Sequence, residues 1–314
     1  PDDWNIGFGA GDSTTGLVLD TDDDNDGVND DADAFPNDPT DATDTDGDGI
    51  GDNKDAFPND ATQQFLPIDQ ALERIEDSNL QQCIQSQTAG QTTAGDVLRI
   101  DCNHQNIQSA SGLQAFVNLE ELYLRDKQFC DLTPLTALTS LRVLELEWGS
   151  RCIKDISALT GLKQLEWLNL HGNDVQDLSP LANMPNLEVL YLGDNNLSSL
   201  SALGTLNALE NLHIQNNPLA DQSFLQFPNL TELWANNIAL SDLPAFVAGL
   251  PLTLQTLSLD NNSITDISAL SGREAIQSLR LSQNRLTELR ISDVPKLHTI
   301  EAQNNEIAPF AVAN

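Results

Sequence analysis

The chain has 314 residues, of which 48 are Asp or Glu and 14 are Lys or Arg, and its formal net charge at pH 7 is −34. A chain this acidic repels phosphate backbones, so the composition argues against a nucleic-acid partner. No apolar run is long enough to cross a bilayer, and the sequence therefore predicts no transmembrane segment.

The negative charge is concentrated near the start of the chain, where residues 1–66 contain 19 Asp and one Lys. Residues 1–19 show no clear periodicity and are left unassigned. Residues 20–65 hold two copies of an Asp-rich pattern that begin at Asp22 and Asp44. Each copy ends in Ala-Phe-Pro-Asn-Asp, at 34–38 and 56–60. Clustered carboxylates of this kind favour the binding of hard cations.

Both copies have the spacing of a calcium loop. Such a loop places carboxylate ligands at positions 1, 3, 5, 9 and 12, a backbone carbonyl at position 7 and Gly at position 6. Gly27 and Gly49 fill position 6, where Gly permits the sharp turn that lets the flanking oxygens converge. Asp20, Asp38 and Asp41 are candidate ligands of a further ion. The predicted calcium ligands are Asp22, Asp24, Asp26, Val28, Asp30, Asp33, Asp44, Asp46, Asp48, Ile50, Asp52 and Asp55.

Two features distinguish these loops from ordinary EF-hands: position 12 is Asp rather than Glu, and no helices are predicted on either side. With the Phe-Pro-Asn-Asp tail, the pattern resembles the thrombospondin type 3 repeats of bacterial surface proteins. The resemblance implies that Ca²⁺ is the structural core of residues 20–65, because the segment has too few apolar residues to collapse alone. The alternative is an acidic, disordered linker.

Residues 66–96 are predicted to form a cap helix followed by a loop. Apolar residues recur at helical spacing between Leu66 and Ile84, and Pro67 suits a first helical turn. The pattern predicts one amphipathic helix over 66–87, and the small polar residues of 86–96 predict a loop.

Residues 97–314 contain ten copies of a repeat with the template L-x-x-L-x-L-x-x-N, most of them 22 residues apart. A fixed period of this length predicts a solenoid, in which each unit buries its apolar face only by stacking on its neighbours. The L-x-L alternation predicts a short strand with inward leucines, and successive strands should pair in parallel. The second half of each repeat is expected to return as a tight turn or 3₁₀ segment. The repeats begin at Val97, Leu119, Leu141, Leu165, Leu187, Leu209, Leu230, Leu254, Ile276 and Leu297.

This array resembles the leucine-rich repeats of the internalin-like, 22-residue bacterial type. The resemblance implies a leucine-rich-repeat solenoid with parallel strands on its concave face. It also implies an adhesin-like protein that binds a protein or a glycan on another surface.

The ninth template position is Asn in most repeats, and its amide is expected to bond backbone groups of its own turn and of the next repeat. This position holds Gln105, Lys127 and Ile238 in repeats one, two and seven. Repeat three has two extra residues between Trp148 and Ile153. We therefore expect the Asn column to be weakest at the start of the array and near repeat seven.

The four cysteines allow three pairings. Cys102 takes an inward position of repeat one, beneath the cap that carries Cys83, and Cys130 and Cys152 share one turn in adjacent repeats. We therefore predict Cys83–Cys102 and Cys130–Cys152 disulfides, with four buried free thiols as the alternative. Disulfides and calcium sites are both typical of extracellular proteins, so an extracellular or cell-surface location is expected. The resemblance to internalin-like proteins implies that the protein is bacterial.

Exposed aromatic residues are predicted on the concave face, at outward positions of the strands in repeats two to seven. Grouped exposed aromatics typically mark a binding surface, although they could instead only pack against one another. The predicted ligand-binding residues are Tyr123, Arg125, Glu145, Trp148, Trp167, His171, Tyr191, His213 and Trp234.

No catalytic constellation is evident in the sequence. His171 and His213 lie two repeats apart, about 10 Å, which is too far for them to share a metal or a proton. The sequence therefore predicts a non-catalytic recognition protein that binds a protein or glycan. A calcium-rigidified spacer of the envelope or matrix is the alternative, and an undetected hydrolase is a second one. The oligomeric state is left open.

Overall fold

A computed structural model describes residues 21–149, 151–220, 227–240 and 242–308. The unassigned segment 1–19 and the candidate ligand Asp20 lie outside these residues, as do Pro309, Phe310 and Val312 at the end of the last repeat. No helix among the described residues is long and apolar enough to cross a membrane.

The centre of the fold is one parallel sheet of ten three-residue strands, which follow one another in chain order. The predicted ten-repeat solenoid is confirmed. Each strand begins two residues after the first residue of its repeat. The strands are β1 Arg99–Asp101, β2 Glu121–Tyr123, β3 Val143–Glu145, β4 Trp167–Asn169, β5 Val189–Tyr191, β6 Asn211–His213, β7 Glu232–Trp234, β8 Thr256–Ser258, β9 Ser278–Arg280 and β10 Thr299–Glu301.

Every strand pairs in register with its neighbours, so that equivalent template positions lie side by side. The inward leucines at both L positions are fully buried through most of the array. In the last strand, Ile300 takes an inward position but keeps 40% of its surface exposed. The core is therefore continuous along the described solenoid, and its last strand is less buried than the strands before it.

The convex side is formed mostly by short 3₁₀ turns, as predicted. Repeat seven differs: a helix, α3 (Leu243–Ala248), replaces the turn, and the longer interval between Leu230 and Leu254 provides the room. Arg273 from the next repeat is buried and donates hydrogen bonds to carbonyls at the C-terminal end of α3. The 3₁₀ segments are Ala94–Asp96, Leu113–Ala115, Thr133–Leu135, Ser157–Leu159, Ser179–Leu181, Ser201–Leu203 and Ser268–Leu270.

The prediction of one continuous cap helix over 66–87 was wrong. The cap consists of two helices, α1 (Ile68–Glu73) and α2 (Ser78–Gln87). Asp77 ends the continuity because its carboxylate accepts hydrogen bonds from the backbone N–H groups of Asn79 and Leu80. That side chain starts a new helix, as Asp does at an N-cap, rather than continuing an old one.

Both predicted disulfides are present, with Cα–Cα distances of 5.9 Å for Cys83–Cys102 and 5.3 Å for Cys130–Cys152. The first joins α2 to the end of β1. The second joins repeat two to repeat three across the two-residue insertion. The described chain has no free cysteine. The cap and the irregular third repeat are thus covalently fixed to the regular array.

The asparagine column bonds to the preceding repeat, not to the following one as predicted. The Asn195 amide donates to Leu170 O (2.9 Å) in the repeat before and to Leu192 O (3.0 Å) in its own. Its Oδ1 accepts from Val175 N at 2.9 Å. The direction follows from the strand order, because carbonyls of the preceding repeat point toward each new turn. One side chain therefore satisfies three buried backbone groups.

Lys127 supports the turns at the start of the array. It is 1% exposed, and its ammonium donates to Leu146 O at 2.7 Å, the carbonyl that Asn173 also uses. Repeat three has Gly149 at the ninth template position, where an added Cβ would lie 2.7 Å from Lys127 Nζ. The lysine of repeat two thus reaches forward and occupies the space that an Asn of repeat three would fill. Burial lowers its pKa to about 8.

The asparagine column predicts a specific loss of stability. Asn195→Ala should lower the free energy of unfolding by about 2–4 kcal/mol, because three buried backbone groups would lose their partner. Urea unfolding followed by circular dichroism measures the change. Asn207→Ala is the matched control, since Asn207 is exposed and should change stability by less than about 0.5 kcal/mol. Equal effects of the two substitutions would contradict a structural role for the asparagine column.

Candidate recognition face and metal-binding loops

The aromatic residues predicted on the concave face form a continuous stripe along four strands. Tyr191, His213 and Trp234 are register partners on β5, β6 and β7. The Tyr191 and His213 rings stack at 4.1 Å between centroids, and His213 and Trp234 stack at 5.1 Å. Trp167 meets Tyr191 edge-on at 5.6 Å. We call these four residues, Trp167, Tyr191, His213 and Trp234, the aromatic stripe.

His213 is enclosed between two rings. Its Nε2 atom is buried without a hydrogen-bond partner and lies 3.6 Å from Glu232 Oε1. That carboxylate oxygen accepts a hydrogen bond of 2.5 Å from Trp234 Nε1. Burial lowers the pKa of His213, although the charge of Glu232 opposes this shift. The imidazole is therefore neutral near pH 7, and the stripe is uncharged along its centre.

Trp148 lies beside the stripe, over the turn that follows β3. Its φ is +46°, a left-handed conformation that is unusual for a bulky residue, and 43% of its surface is exposed. Its ring packs edge-on against His171 at 4.8 Å and covers Gly172, where a Cβ would lie 2.6 Å from the ring. Strained, exposed aromatics are typical of functional surfaces.

Tyr123, Arg125 and Glu145 belong to a separate ionic cluster on repeats one to three. Arg125 Nη2 is 2.5 Å from Glu147 Oε2 and 3.7 Å from Glu145 Oε2. The Tyr123 hydroxyl donates to Glu121 Oε2 at 3.1 Å, and the Arg99 guanidinium lies 4.3 Å from the centre of its ring. The nine predicted residues therefore divide into two neighbouring groups rather than one site.

Glu145 is the unusual member of that cluster, since it faces the concave side and is 4% exposed. Burial is the main cause that raises its pKa to about 7, and Glu147 adds to the shift while Arg125 opposes it. Its burial could not be read from the sequence, where it appears as a solvated carboxylate.

Glu232 and Arg280 also lie against the aromatic stripe on the concave face but were not among the predicted ligand-binding residues. Glu232 shares β7 with Trp234, two positions away, and the Arg280 guanidinium lies 5.7 Å from the centre of the Trp234 ring. Residues at i and i+2 of a strand share a face, so period-two spacing from Trp234 was a sufficient signal for Glu232. Arg280 lies two repeats further on, and only its side-chain length brings it close.

The two Asp-rich segments fold into irregular loops that bring carboxylates together. One oxygen from each of Asp22, Asp24 and Asp26 lies within 4.8 Å of the others, and Asp44, Asp46 and Asp48 form an equivalent group. Gly27 and Gly49 have left-handed φ values of +98° and +91°. Asp22 and Asp44 accept hydrogen bonds from the amides of these glycines, at 3.1 and 3.0 Å.

The position-9 carboxylates close the loops from the other side. Asp30 accepts a hydrogen bond from Asp23 N at 2.9 Å, and Asp52 accepts from the backbone and hydroxyl of Thr45 at 2.8 and 2.6 Å. Val28 and Ile50 follow the glycines directly, at position 7 of each loop.

Several carboxylate oxygens in the loops are buried without hydrogen bonds. Burial first, and then the charges of neighbouring aspartates, raise the pKa values of Asp24 and Asp55. A group of carboxylate oxygens that repel one another and lack hydrogen-bond partners in the protein suits a hard divalent cation such as Ca²⁺ as their shared ligand. The oxygens concerned are Oδ2 of Asp24, Asp33, Asp46, Asp48 and Asp55, and Oδ1 of Asp41.

Comparison with known proteins supports the fold. A family model described as leucine-rich repeats (two copies) matches residues 163–205. An internalin (inlF) of Listeria monocytogenes is similar in structure, with a TM-score of 0.66 and 24% identity over 78% of this chain and 80% of that one. Internalin C2 of the same species gives a TM-score of 0.60 and 27% identity over 68% and 96% of the two chains.

A leucine-rich-repeat protein of Leptospira interrogans has a TM-score of 0.56 and 24% identity, over 67% of this chain and 62% of that one. No curated protein matches the sequence. Together with the ten-stranded parallel sheet, these likenesses establish a leucine-rich-repeat solenoid that is similar in fold to internalins.

The buried carboxyl of Glu145 predicts a pH-dependent stability. A Glu in the unfolded chain ionises near 4.5, whereas the folded pKa is about 7. The stabilisation from the neutral carboxyl is thus complete below about pH 4.5 and is lost as the pH rises through 7. Glu145→Gln removes this loss, so wild type should lose about 2–3 kcal/mol relative to the variant between pH 4.5 and 7.5.

Urea unfolding at a series of pH values measures this difference. Glu274→Gln serves as the control, because Glu274 is exposed and its substitution should change the stability by less than about 0.5 kcal/mol. A constant offset between Glu145→Gln and wild type across the range would contradict the account of Glu145.

Proposed function

We propose that this protein recognises another protein, without catalysis, through the concave face of repeats two to seven. The observation that carries this proposal is the in-register aromatic stripe, whose rings stand 4.1 and 5.1 Å apart in the middle of the sheet. Solenoids use their concave surface as an extended binding site. Aromatic residues are the most frequent hot spots of protein interfaces.

The arrangement of the rings favours a protein over a glycan as the ligand. A sugar ring stacks on an open aromatic face, whereas His213 is stacked on both sides and Tyr191 and Trp234 each have one face against it. The stripe therefore offers mainly ring edges and polar tips, which fit the side chains of a protein surface. Trp148 is the exception, since it is 43% exposed, and it extends the site at one border.

The contacts of the histidines support a role without catalysis. His171 Nε2 lies 3.2 Å from Asp194 Oδ2, which is the pairing that a general base requires. Within the described residues, however, no Ser, Thr or Cys side chain hydrogen-bonds to the His171 ring. Without a nucleophile in reach, the histidine–carboxylate pair is better explained as part of a polar binding surface.

We further propose that residues 20–65 hold two structural Ca²⁺ ions, one in each loop, as thrombospondin type 3 repeats do. The support is the convergence of three aspartates in each loop and the buried oxygens without hydrogen bonds. Calcium at millimolar concentration and two disulfides fit a bacterial protein that is exported to the cell surface or beyond.

Substitution of Trp234 tests the recognition face. Trp234→Ala should weaken capture of a surface-protein ligand at least tenfold, because Trp234 ends the aromatic stripe and anchors Glu232. The full chain is applied in calcium buffer to an array of surface proteins and glycans, and affinities are then measured for whatever binds. Leu252→Ala is the control, since Leu252 is 74% exposed and lies outside the strands.

The outcomes of this experiment separate the alternatives. Binding of a protein that is lost with Trp234→Ala and retained with Leu252→Ala supports recognition. Binding of glycans alone would contradict the choice of a protein ligand. Binding that neither substitution changes would favour a calcium-rigidified spacer, and turnover of an array substrate would favour a hydrolase.

Removal of calcium tests the loops. A chelator should unfold residues 20–65 while the solenoid stays folded, because the loops have almost no apolar core of their own. Limited proteolysis should then cut before residue 66, and circular dichroism should change little. Asp46→Asn with Asp48→Asn should reproduce the cleavage in calcium, whereas Asp31→Asn should not, since Asp31 is exposed and outside the predicted ligands. A chelator that leaves proteolysis unchanged would contradict calcium binding.

A further inference from the structure

The repeats that carry the aromatic stripe contain no Lys or Arg. Residues 164–272 hold eleven Asp and Glu and no Lys or Arg, although the chain has 14 Lys and Arg in total. Electrostatic complementarity steers partners toward a surface of opposite charge and discriminates against those of like charge. Repeats four to seven therefore present a negative charge that favours partners of positive charge.

Part of this charge forms a ladder along one border of the stripe. Glu166, Glu188 and Glu210 occupy the same position in three successive repeats, immediately before β4, β5 and β6. Their backbones bond directly, with Glu188 N to Glu166 O at 2.9 Å and Glu210 N to Glu188 O at 2.8 Å. We call these three residues, Glu166, Glu188 and Glu210, the glutamate ladder.

Only one end of the ladder is neutralised. Glu166 accepts two hydrogen bonds of 2.9 Å from Arg142. Glu188 and Glu210 are exposed, and neither forms an ion pair within the described part of the chain. Like charges side by side in a sheet destabilise it, so the two unpaired carboxylates favour the approach of a positive group.

The opposite border of the stripe is already paired. Asp194 is 3.2 Å from His171 Nε2 and 3.8 Å from Arg151 Nη2. Asp260 is 3.4 Å from Arg280 Nε. The carboxylates that can still form ion pairs with a partner thus lie along the border formed by the glutamate ladder.

The protein itself shows how a basic side chain fits this face. The Arg280 guanidinium lies 5.7 Å from the centre of the Trp234 ring while it contacts Asp260 and, at 3.0 Å, Glu301. An arginine can therefore combine a ring contact with carboxylate contacts on this surface. No arginine or lysine of the described chain takes the equivalent place beside Glu188 and Glu210.

We propose that the concave face of repeats four to seven binds a basic polypeptide, whose Lys or Arg side chains pair with Glu188 and Glu210. Its apolar side chains lie against the edges of the aromatic stripe, next to Tyr191 and His213. The proposal rests on the recognition function proposed above and adds the charge of the partner. Acidic polypeptides are rejected by the same carboxylates.

Selection of peptides tests the proposal without a known partner. A library of random 12-residue peptides is selected on the full chain in calcium buffer. Peptides that bind should be enriched in Lys and Arg, and their affinity should fall as salt is raised, because exposed charges are screened. For a selected peptide, Glu188→Gln with Glu210→Gln should weaken binding about tenfold at low salt and flatten the salt dependence.

A matched double variant controls for net charge. Glu274→Gln with Glu306→Gln removes the same charge from two exposed carboxylates outside the concave face and should leave the affinity unchanged. Trp234→Ala should weaken binding of the same peptide at least tenfold. Peptide binding that needs Trp234 but not the two glutamates would overturn the charge proposal and leave the recognition function standing. Binding that needs neither would overturn both.

Two other outcomes would also overturn the charge proposal. Enrichment of neutral or acidic peptides would contradict it directly. If the glutamates instead hold a metal ion, binding of a basic peptide would weaken as calcium is added at constant ionic strength, and the double variant would abolish that competition. We expect no such competition, because within the described residues only the two Asp-rich loops group three carboxylates closely enough for an ion.

Discussion

The strict register between successive repeats is the constraint on which the rest of this structure depends. Each strand returns beside its predecessor at the same template position, so whatever a position carries becomes a column along the solenoid. Leucines at inward positions thereby make a continuous core. The asparagine ladder holds this register, because each amide bonds both to its own turn and to the turn before. A turn that slipped would leave buried carbonyls and amides unpaired.

The same register explains the outward face. Aromatic residues at one position in three successive repeats stack because their strands are neighbours, and glutamates at another position form a row for the same reason. Stacked rings stabilise one another, whereas stacked carboxylates repel. The stability that the fully buried leucines contribute is large enough to offset that repulsion.

Much of this arrangement could be predicted from the sequence because it depends on periodicity. The 22-residue spacing and the L-x-L alternation were sufficient for ten strands, an inward core and an outward row that contains Tyr191 and Trp234. The disulfide pairs followed from the same stacking. Periodicity could not reveal details set by single side chains. Asp77 divides the cap into two helices, and Lys127 reaches into the turn of the next repeat. Ring-to-ring stacking and the burial of Glu145 depend on side-chain conformations that no template fixes.

The acidic residues of the chain occur in two different structural environments, and the consequences differ. In the loops, aspartates converge within 4.8 Å and are joined to the solenoid through Phe57, which packs on the core, and Phe65, which covers Gly95. Convergent carboxylates suit a small cation. In repeats five and six, Glu188 and Glu210 take the same position immediately before the strands that carry Tyr191 and His213, and such a row suits the extended charge of a polypeptide. Geometry, rather than charge alone, separates the two functions we propose.

Hydroxyl-radical footprinting of the full chain with a bound ligand tests the central claim most directly. The method reports the solvent exposure of individual aromatic side chains, and apart from Trp4 the tryptophans and tyrosines of this chain lie in distinct repeats. We expect the ligand to protect Trp148, Trp167, Tyr191 and Trp234 while Phe57 and Phe65 keep their reactivity. Protection confined to the loops or the convex side, with those four residues unchanged, would contradict recognition through the concave face.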